Sequence, residues 1–479
     1  MDPDGLTNAV DPLPPGSDAQ GGAVAVTILT AGRGTRMRST TPKALHPLVG
    51  LPMVEHVLRA AQAIEPCQIV VTLGPASEAL RERVAGQVDI AWQQEARGTG
   101  DAVRVALPVI DPAVEWVVVI FGDHPLVDGE TLRRLVSSAR QARPILASVA
   151  VVLDDPGPYG RYRREGGRVA GVVEAREDPN TYDGPIPVNS GMCCIRRDWL
   201  ATAIERIPRS PSGEYYLTSL VELAAATEWP VDPVLLVEAP PEVAYGINDR
   251  VELAAAEAIL RRRINERHMR AGVTLVDPTT TYIDADVRIG ADTRVEPGCV
   301  LRGATTIGGG CVIGHGSTIE DSRLGDDVSV RGSWIAGAEI GDAVDIGPYA
   351  HLRPGTRVAA RVHIGNYVEL KNASIGSGTQ IGHVSYLGDA EVGERVNVGA
   401  GTITCNYDGR EKHWTTIGDD VFIGSDTMLV APVTLGAGSS TGAGAVVNRS
   451  VEPGKLVVGI PARVIRSRRA ERSGAVDAR

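Results

Sequence analysis

The second half of the chain repeats an aliphatic residue at every sixth position, with a one-residue deletion between Ile319 and Leu324. The repeat is set by Ile289, Val295, Leu301, Ile307, Ile313, Ile319, Leu324 and Val330, then by Ile340, Ile346, Leu352, Val358, Ile364 and Leu370, and later by Ile417, Ile423, Leu429 and Leu435. A glycine often follows, as in Ile307-Gly308 and Ile364-Gly365. A period of six fits neither a helix nor a hairpin, but it does fit a short strand plus a turn. The pattern therefore predicts a parallel β-helix with three repeats per coil.

The first half of the chain alternates apolar runs with amphipathic stretches. The apolar runs predict buried strands at Val24–Thr30, Ile69–Leu73, Val117–Phe121 and Ile145–Leu153. The amphipathic stretches predict helices at Met53–Ala63, Gly100–Leu107 and Glu130–Ala142. This alternation predicts an α/β domain with a mainly parallel sheet.

A single helix is predicted to join the two halves. Asp249 is a suitable N-cap and Gly272 a suitable residue just after the end, which predicts a linker helix over 249–271. We expect five segments: a disordered extension (1–22), the α/β domain (23–248), the linker helix (249–271), the β-helix (272–465) and a flexible tail (466–479). The acidic start, rich in Pro and Gly, predicts neither a signal peptide nor a membrane span.

Composition narrows the class of protein. A chain of 479 residues exceeds what one core usually organises, and 55 glycines with only two phenylalanines suit a narrow solenoid interior. The formal charge of −11 argues against nucleic acid or an anionic membrane as the main partner. The six cysteines show no paired or zinc-like spacing, which indicates a reducing compartment and hence the cytoplasm.

A glycine-rich turn follows the first predicted strand. Gly32 and Gly34 would present backbone N–H groups at the carboxyl edge of the sheet, where phosphates bind. The turn lacks the features of a Walker A loop and the third glycine of a dinucleotide fingerprint. A ligand-free tight turn is the alternative, but Arg36 and Lys43 favour a bound polyphosphate. Asp123 ends another strand, where it could bind a hard cation such as Mg²⁺ or cap a turn.

Polar residues interrupt the solenoid between 397 and 412, and such an interruption usually marks a binding face. Arg353, Lys371 and Lys412 form a basic set that could bind a sugar phosphate. His383 is the general-base candidate beside them. His315, His351 and His363 also lie in the solenoid, which raises a metal centre as an alternative, although the four histidines show no recognisable ligand spacing.

Several motifs occur in a fixed order. They are LTAGRGTRM with PK, Gln93 with Gly98-Thr99-Gly100, FGD, PYGR, VNSG and Gly246-Ile247-Asn248. Together with residues 353–425, they resemble the family of bifunctional N-acetylglucosamine-1-phosphate uridylyltransferase / glucosamine-1-phosphate acetyltransferase. The resemblance implies a Rossmann-like nucleotidyltransferase domain, a linker helix and a left-handed parallel β-helix of hexapeptide repeats.

The resemblance also implies residue roles in both domains. In the first domain, Asp123 and Asn248 would hold Mg²⁺, and Arg36 and Lys43 would bind the phosphates. The uracil would be bound by Gln93, Gly98 and Thr99. The N-acetylglucosamine would be bound by Gly160, Glu174 and Asn189. In the solenoid, glucosamine 1-phosphate would be bound by Arg353, Lys371, Tyr386, Asn397 and Lys412. Acetyl transfer would be served by Glu369 and by His383 as the base, and acetyl-CoA would be bound by Asn406, Tyr407, Ser425 and Ala443.

The implied activity is acetyl transfer from acetyl-CoA to glucosamine 1-phosphate, followed by uridylyl transfer from UTP to N-acetylglucosamine 1-phosphate. The resemblance further implies a homotrimer formed through the β-helix. One alternative is a monofunctional sugar nucleotidyltransferase whose solenoid only oligomerises, and another is a non-catalytic scaffold. Two departures bear on base and sugar preference. Asp101 stands where the family usually has His, and His124 follows Asp123 where an apolar or small residue is common.

Overall fold

The computed structural model describes residues 22–32, 34–75, 77–175, 178, 184–211 and 213–467. The extension expected at 1–22, apart from Gly22, and the tail expected at 466–479, apart from its first two residues, lie outside the described residues. The described chain divides into two compact units. The first comprises 22–46 and Pro52–Ala256, and the second comprises Pro47–Leu51 and 257–467. Within the described residues, no helix has the length and apolar character needed to cross a membrane.

The first unit is built on one twisted sheet. Its strands are β1 (Val24–Leu29), β2 (Gln68–Leu73), β3 (Asp89–Trp92), β4 (Trp116–Phe121), β5 (Leu146–Leu153), β6 (Gly160–Glu165), β7 (Arg168–Val173), β8 (Ile186–Arg196) and β9 (Val234–Ala239). The order across the sheet is β9-β5-β8-β4-β1-β2-β3. Strand β8 is antiparallel to both β4 and β5, whereas β1, β2, β3 and β4 run parallel. The predicted mainly parallel sheet is confirmed.

The first unit contains the helices α1 (Met53–Gln62), α2 (Glu78–Val84), α3 (Thr99–Ala106), α4 (Gly129–Ala142), α5 (Arg197–Ala203) and α6 (Ser219–Ala225). The helix α7 (Arg250–Arg270) begins in the first unit and continues into the second. Two apolar clusters, one containing Val57, Leu58 and Leu132 and the other Val103 and Leu220, pack against the sheet. Because apolar strands become buried when both faces are covered, the continuous apolar runs in the sequence predicted these strands well.

The direction of strand order in the sheet changes at β1. Strands β2 and β3 lie on one side of β1, and β4, which comes later in the chain, lies on the other side. Such a switch point leaves a crevice at the carboxyl ends of the two strands, where ligands of open α/β sheets bind. Strand β1 ends at Leu29 and strand β4 ends at Phe121, at the same edge of the sheet. The glycine-rich turn and Asp123 follow these two strands and therefore both lie at the crevice.

Helix α7 begins and ends with the expected signals. The Oδ1 atom of Asp249 accepts hydrogen bonds from the backbone N–H groups of Val251 and Glu252, both at 2.9 Å. Gly272 follows the helix with a φ of +94°, a left-handed conformation that favours glycine. Side-chain capping at the start and glycine at the end explain why the helix limits could be read from the sequence.

The second unit is a left-handed parallel β-helix with three faces. One face is formed by Thr274–Leu275, Arg294–Val295, Val312–Ile313, Ser329–Val330, Asp345–Ile346, His363–Asn366, Gln380–His383, Asn397–Val398, Phe422–Ile423, Ser440–Thr441 and Lys455–Gly459. Another contains Tyr282–Ile283, Val300–Arg302, Thr318–Glu320, Trp334–Ala336, His351–Leu352, Ile403–Cys405, Met428–Val430 and Val446–Val447.

The last face contains Arg288–Ile289, Thr306–Ile307, Arg323–Leu324, Glu339–Ile340, Arg357–Val358, Thr415–Ile417 and Val433–Leu435. The longer strands Glu369–Ile375 and Tyr386–Val392 run through both of these faces. The strand Ala462–Ser467 then pairs antiparallel with Lys455–Gly459. A two-stranded hairpin, Pro47–Leu48 and Leu51–Pro52, completes the described strands.

The aliphatic repeat forms the solenoid interior. Fully buried side chains on one face include Val295, Ile313, Val330, Ile346, Ile364 and Ile381. The coils approach closely at corner glycines: a Cβ at Gly365 would lie 1.7 Å from the carbonyl oxygen of Gly382. The hexad prediction is confirmed, and the coils extend beyond the predicted repeat to Thr274 and Gly459.

Candidate functional sites

The first site is a cleft of about 530 Å³ at the carboxyl ends of β1 and β4. Its lining includes Gly32, Gly34, Arg36, Lys43, Gln93, Gly98, Thr99, Asp123 and Asn248. Gly34 has a φ of +58°, and a Cβ there would lie 2.7 Å from the Cβ of Lys43. The glycine therefore lets the turn pass directly beside this lysine. These nine residues, which the sequence analysis singled out for nucleotide or metal binding, come from four separate parts of the chain and line one cleft.

Two cations and two oxygen ligands meet inside the cleft. The Nζ atom of Lys43 lies 2.6 Å from Asp123 Oδ2 and donates a hydrogen bond to Asn248 Oδ1 at 3.0 Å. The Nη2 atom of Arg36 donates to the same Asn248 oxygen at 2.9 Å. The backbone N–H of Asn248 donates to Glu252 Oε2 at 2.5 Å, so the first turn of α7 holds this residue in place. Glu252 was not predicted from the sequence, although its spacing from Asp249 suits a helix cap.

The oxygen pair suits a hard divalent cation. The Asp123 carboxylate and the Asn248 amide oxygen already converge on one positive charge, that of Lys43. Mg²⁺ typically takes one or two protein oxygens and completes its shell with water and substrate phosphates. The residues present therefore fit Mg²⁺.

The residues expected to recognise the base lie at one rim of the cleft. Gln93 follows β3, and its Nε2 atom donates hydrogen bonds to Gly98 O at 3.1 Å and Asp101 Oδ2 at 2.8 Å. Gly98 has a φ of +99°, and a Cβ there would lie 2.6 Å from the carbonyl oxygen of Tyr215. Thr99 Oγ1 accepts from the N–H of Leu217 at 3.1 Å. Gln93, Gly98 and Thr99 are thus brought together.

The residues expected to bind the sugar form a group of their own, outside the cleft lining given by the described residues. Gly160 pairs with Asn189 across β6 and β8, and Glu174 directly follows β7. Asn189 Oδ1 accepts hydrogen bonds from Tyr162 Oη at 3.1 Å and from the N–H of Gly191 at 2.9 Å. A Cβ at Gly160 would lie 3.9 Å from Glu174 Oε2, so these three residues are neighbours.

His124, the second departure from the family pattern, packs behind the metal-ligand candidate. Its ring lies 5.1 Å from that of Phe121, and its Nε2 atom is 3.7 Å from Asp123 Oδ1. Burial lowers the pKa of His124, and the neighbouring Asp123 charge only partly opposes this. A Cβ at Gly246 would lie 2.7 Å from its Nε2 atom. The neutral imidazole therefore fills space beside Gly246, and Lys43 keeps its contact with Asp123.

The second site begins with a basic group on the solenoid. The Nη1 atom of Arg353 donates to Glu369 Oε1 at 2.9 Å, and Glu369 pairs with Tyr386 on the next coil. Lys371 lies on the same strand as Glu369. The ammonium of Lys412 lies beside that of Lys371 and lowers the pKa of Lys371. Two adjacent ammonium groups and a guanidinium are suited to a phosphate dianion.

A carboxylate that the sequence analysis missed supports this group. Asp389 is buried, and its two oxygens accept hydrogen bonds from Asn372 Nδ2 at 2.7 Å and Asn406 Nδ2 at 2.6 Å. Burial raises the pKa of Asp389, but these hydrogen bonds and the charges of Lys412 and Lys371 outweigh burial and lower it. Asp389 therefore holds Asn406 in place and balances part of the lysine charge.

The predicted interruption of the repeat is a loop between the strands Ile403–Cys405 and Thr415–Ile417. Tyr407 and Lys412 pair across the loop in an isolated antiparallel bridge. The Nε2 atom of His413 lies 2.9 Å from Asp408 Oδ2. The loop thereby places Lys412 next to Lys371 and leaves the ring of Tyr407 60% exposed.

His383 is held by a residue that was not predicted. Its Nδ1 atom lies 2.5 Å from Asn366 Oδ1, one coil earlier on the same face. An amide oxygen only accepts hydrogen bonds, so Nδ1 carries the proton and Nε2 keeps its lone pair. This tautomer suits a general base. In the part of the chain that the structure describes, no group of three or more His, Cys, Asp or Glu side chains is arranged to hold a metal ion.

Three further predicted residues lie elsewhere on the solenoid. Asn397 is exposed and pairs with Gln380 and Phe422. Ser425 and Ala443 are exposed at the same corner of successive coils, where the N–H of Gly444 donates to Ser425 O at 2.8 Å. The contacts of these three residues do not join them to the Arg353 and Lys371 group within the described part of one chain.

The fold and the two sites define a nucleotidyltransferase domain joined to a hexapeptide-repeat transferase domain. Residues 26–222 match the family model of the MobA-like NTP transferase domain, and 286–321 and 415–449 match that of the bacterial transferase hexapeptide. The chain is 43% identical to the bifunctional protein GlmU of Heliobacterium modesticaldum, 44% to that of Trichlorobacter lovleyi and 42% to that of Geotalea uraniireducens. These matches cover 90–91% of this chain and 94–96% of the relatives. The chain belongs to the bifunctional GlmU family and is a bifunctional transferase.

Proposed function

We propose that the solenoid acetylates glucosamine 1-phosphate with acetyl-CoA and that the first unit then transfers a uridylyl group from UTP to the N-acetylglucosamine 1-phosphate formed. The product is UDP-N-acetylglucosamine. One observation carries the proposal: each unit holds its own polar site, Lys43 with Asp123 and Asn248 in one, and Arg353 with Lys371 and Lys412 in the other. A scaffold or a purely oligomerising solenoid has no use for two such sites.

In the first unit, an oxygen of the sugar phosphate attacks the α-phosphorus of UTP, and pyrophosphate leaves. This reaction depends mainly on positioning and on charge neutralisation. Asp123 and Asn248 would hold Mg²⁺, which would supply positive charge to neutralise the phosphates. Lys43 and Arg36, beside these two residues, contact phosphate oxygens. The glycine-rich turn beside them offers backbone N–H groups.

In the solenoid, Arg353, Lys371 and Lys412 bind the phosphate of glucosamine 1-phosphate. Nε2 of His383 removes a proton from the sugar ammonium, and the free amine then attacks the thioester carbonyl of acetyl-CoA. The C–N bond forms, the C–S bond breaks, and the second proton of the attacking nitrogen passes to the CoA sulfur, so that CoA leaves as the free thiol. Because Nδ1 is tied to Asn366, Nε2 is the basic atom throughout. The exposed Tyr407, Ser425 and Ala443 bind acetyl-CoA.

The working form proposed is a cytoplasmic homotrimer with acetyltransferase sites between neighbouring solenoids. A corner ladder of exposed apolar side chains, Tyr349, Tyr367 and Val384, supports this assembly, because contiguous exposed apolar surface usually marks an interface. Tyr367 and Val384 directly follow Asn366 and His383. A neighbour that covers the ladder would therefore also approach His383.

Two single variants separate the activities. His383→Ala should lower acetyl transfer by a factor of about 10² to 10⁴, the usual contribution of a general base, and leave uridylyl transfer within about twofold. Asp123→Ala should do the reverse. Release of free thiol and of pyrophosphate, measured on the same samples, follows the two reactions. Loss of both activities in either variant, with the fold retained by circular dichroism, would contradict a two-site enzyme.

The substrate assignment has its own experiment. Purified protein is given Mg²⁺, N-acetylglucosamine 1-phosphate and each NTP in turn, with pyrophosphate release as the readout. Release mainly with UTP supports the uridylyl assignment, and release mainly with another NTP contradicts it. A parallel reaction with glucosamine 1-phosphate and acetyl-CoA tests the solenoid, since an absence of thiol release would leave the chain monofunctional.

A further inference from the structure

Asp101 occupies an unusual place for a carboxylate. Its side chain is only 7% exposed, yet it lies in the first turn of α3 at the rim of the nucleotide cleft. One oxygen, Oδ2, accepts from Gln93 Nε2 at 2.8 Å, and the other, Oδ1, forms a salt bridge with Arg104. Arg104 in turn lies over the ring of Tyr215, 5.0 Å from its centre. The carboxylate is thus buried, paired and aimed at Gln93.

These contacts leave Gln93 one orientation. Its amide nitrogen has two hydrogens, and both are used, one by Asp101 Oδ2 and one by the carbonyl oxygen of Gly98. An ionised carboxylate and a carbonyl only accept hydrogen bonds. Turning the amide over would place Gln93 Oε1 against two acceptors in a buried setting, which is strongly unfavourable. Gln93 Oε1 accepts no hydrogen bond from the described residues, and Gln93 lines the cleft.

We propose that Asp101 is a specificity-determining positioning residue that fixes Gln93 so that only the acceptor Oε1 faces the pyrimidine base. Uracil carries an N–H at position 3, which can donate to Oε1, whereas cytosine carries a lone pair there and is repelled. Arg104 holds the Asp101 carboxylate in place. The inference rests on the proposed uridylyl transfer and deepens it, because it explains base selection by a residue that departs from the usual family pattern.

The test is the substitution Asp101→Asn, which keeps the size of the side chain but can donate to Gln93 as well as accept from it. Only the Gly98 carbonyl then still opposes the turned amide, so Gln93 can more readily turn over and offer its Nε2 hydrogens to cytosine. The ratio of kcat/KM for UTP to that for CTP should fall at least tenfold relative to the unchanged protein. The ratio for UTP to 5-methyl-UTP, which keeps the N–H at position 3, should stay within about twofold.

Two controls make the outcome decisive. Glu95→Gln removes an exposed carboxylate that pairs with Arg97 and should leave both ratios unchanged. Circular dichroism of the same preparations reports whether the protein remains folded, and Asp101→Ser, whose hydroxyl can also donate or accept, replaces Asp101→Asn if that variant does not fold. An unchanged UTP to CTP ratio in a folded variant overturns the role of Asp101. A lack of UTP preference in the unchanged protein overturns the uridylyl assignment itself.

Discussion

At the scale of single residues, two neighbouring ammonium groups make the phosphate site of the solenoid sensitive to alkaline pH. Lys412 lies beside Lys371 and lowers the pKa of Lys371, since each positive charge disfavours the other. Lys371 therefore loses its charge at a lower pH than an isolated lysine would. A bound phosphate dianion favours the charged form, so phosphate binding and protonation of Lys371 support each other.

The substitution Lys412→Met tests this coupling. At neutral pH the KM for glucosamine 1-phosphate should rise about 10- to 100-fold, the usual effect of losing a charge-assisted hydrogen bond. Between about pH 8 and 10, however, KM should rise less steeply in the variant, because the pKa of Lys371 returns towards its ordinary value. Dividing the KM of the variant by the KM of the unchanged protein at each pH cancels the effect of titrating the substrate amine, which is the same for both. A ratio that stays constant with pH would show that the lysines are not coupled.

At the scale of secondary-structure elements, a corner glycine decides how closely two coils of the solenoid approach. Gly365 precedes Asn366, and Gly382 precedes His383 one coil later. A Cβ at Gly365 would lie 1.7 Å from the carbonyl oxygen of Gly382, whereas a Cβ at Gly382 would meet nothing within 4 Å. Glycines at equivalent corners of successive coils therefore differ in whether they can accept a larger side chain.

We predict that Gly365→Ala destabilises the protein by about 1–3 kcal/mol, the usual effect of overpacking, and separates Asn366 from His383. Acetyl transfer should fall at least tenfold because His383 loses its fixed tautomer, while uridylyl transfer stays unchanged. Gly382→Ala is the matched control and should retain stability and both activities. Thermal unfolding and the two product assays give the comparison. Equal behaviour of the two variants would mean that the coils can separate without harm.

At the scale of the whole molecule, the sequence predicts the architecture well because the positions of the apolar residues in each half of the chain indicate which side chains are buried. The apolar runs of the sheet and the aliphatic hexads of the solenoid both become buried side chains, such as Val118 and Ile313. The nucleotide cleft was also predictable, since glycines, cations and Asp123 follow strands that end at one edge. The limits of α7 were marked by Asp249 and Gly272.

The supporting residues of the proposed acetyltransferase site were not predictable, because they depend on the spacing between coils. Three hexads imply coils of 18 residues, as between Arg294 and Val312. Around the site the hydrogen-bonded partners are separated by 17 residues, in Asn366 with His383 and in Asp389 with its two asparagine partners. A count of 18 residues per coil therefore pairs each residue near the site with a position one residue away from its true neighbour. For this reason the contacts of Asn366 and Asp389 could not be read from the sequence.

The proposed assembly would bring together the separate groups of polar residues on the solenoid. Asn397, Ser425 and Ala443 lie apart from Arg353 and Lys371 in one chain, which is expected if neighbouring copies complete each site. Tyr349 and Tyr367 stack at 5.4 Å, and both rings are about 60% exposed. An exposed stack of this kind loses solvent contact favourably when a second copy covers it.

The substitution Tyr367→Asp places a charge in the centre of the proposed interface, where burial without a partner is strongly unfavourable. Sedimentation should show the mass falling from that of a trimer to that of a single chain. Acetyl transfer should fall at least a hundredfold, while uridylyl transfer, whose residues all lie in the first unit, should stay within about twofold. Val231→Asp adds the same charge at an exposed apolar position of the first unit and should leave the mass and both activities unchanged. A Tyr367→Asp variant that is monomeric but fully active in acetyl transfer would show that one solenoid holds a complete site, and a variant that remains trimeric would place the interface on another face.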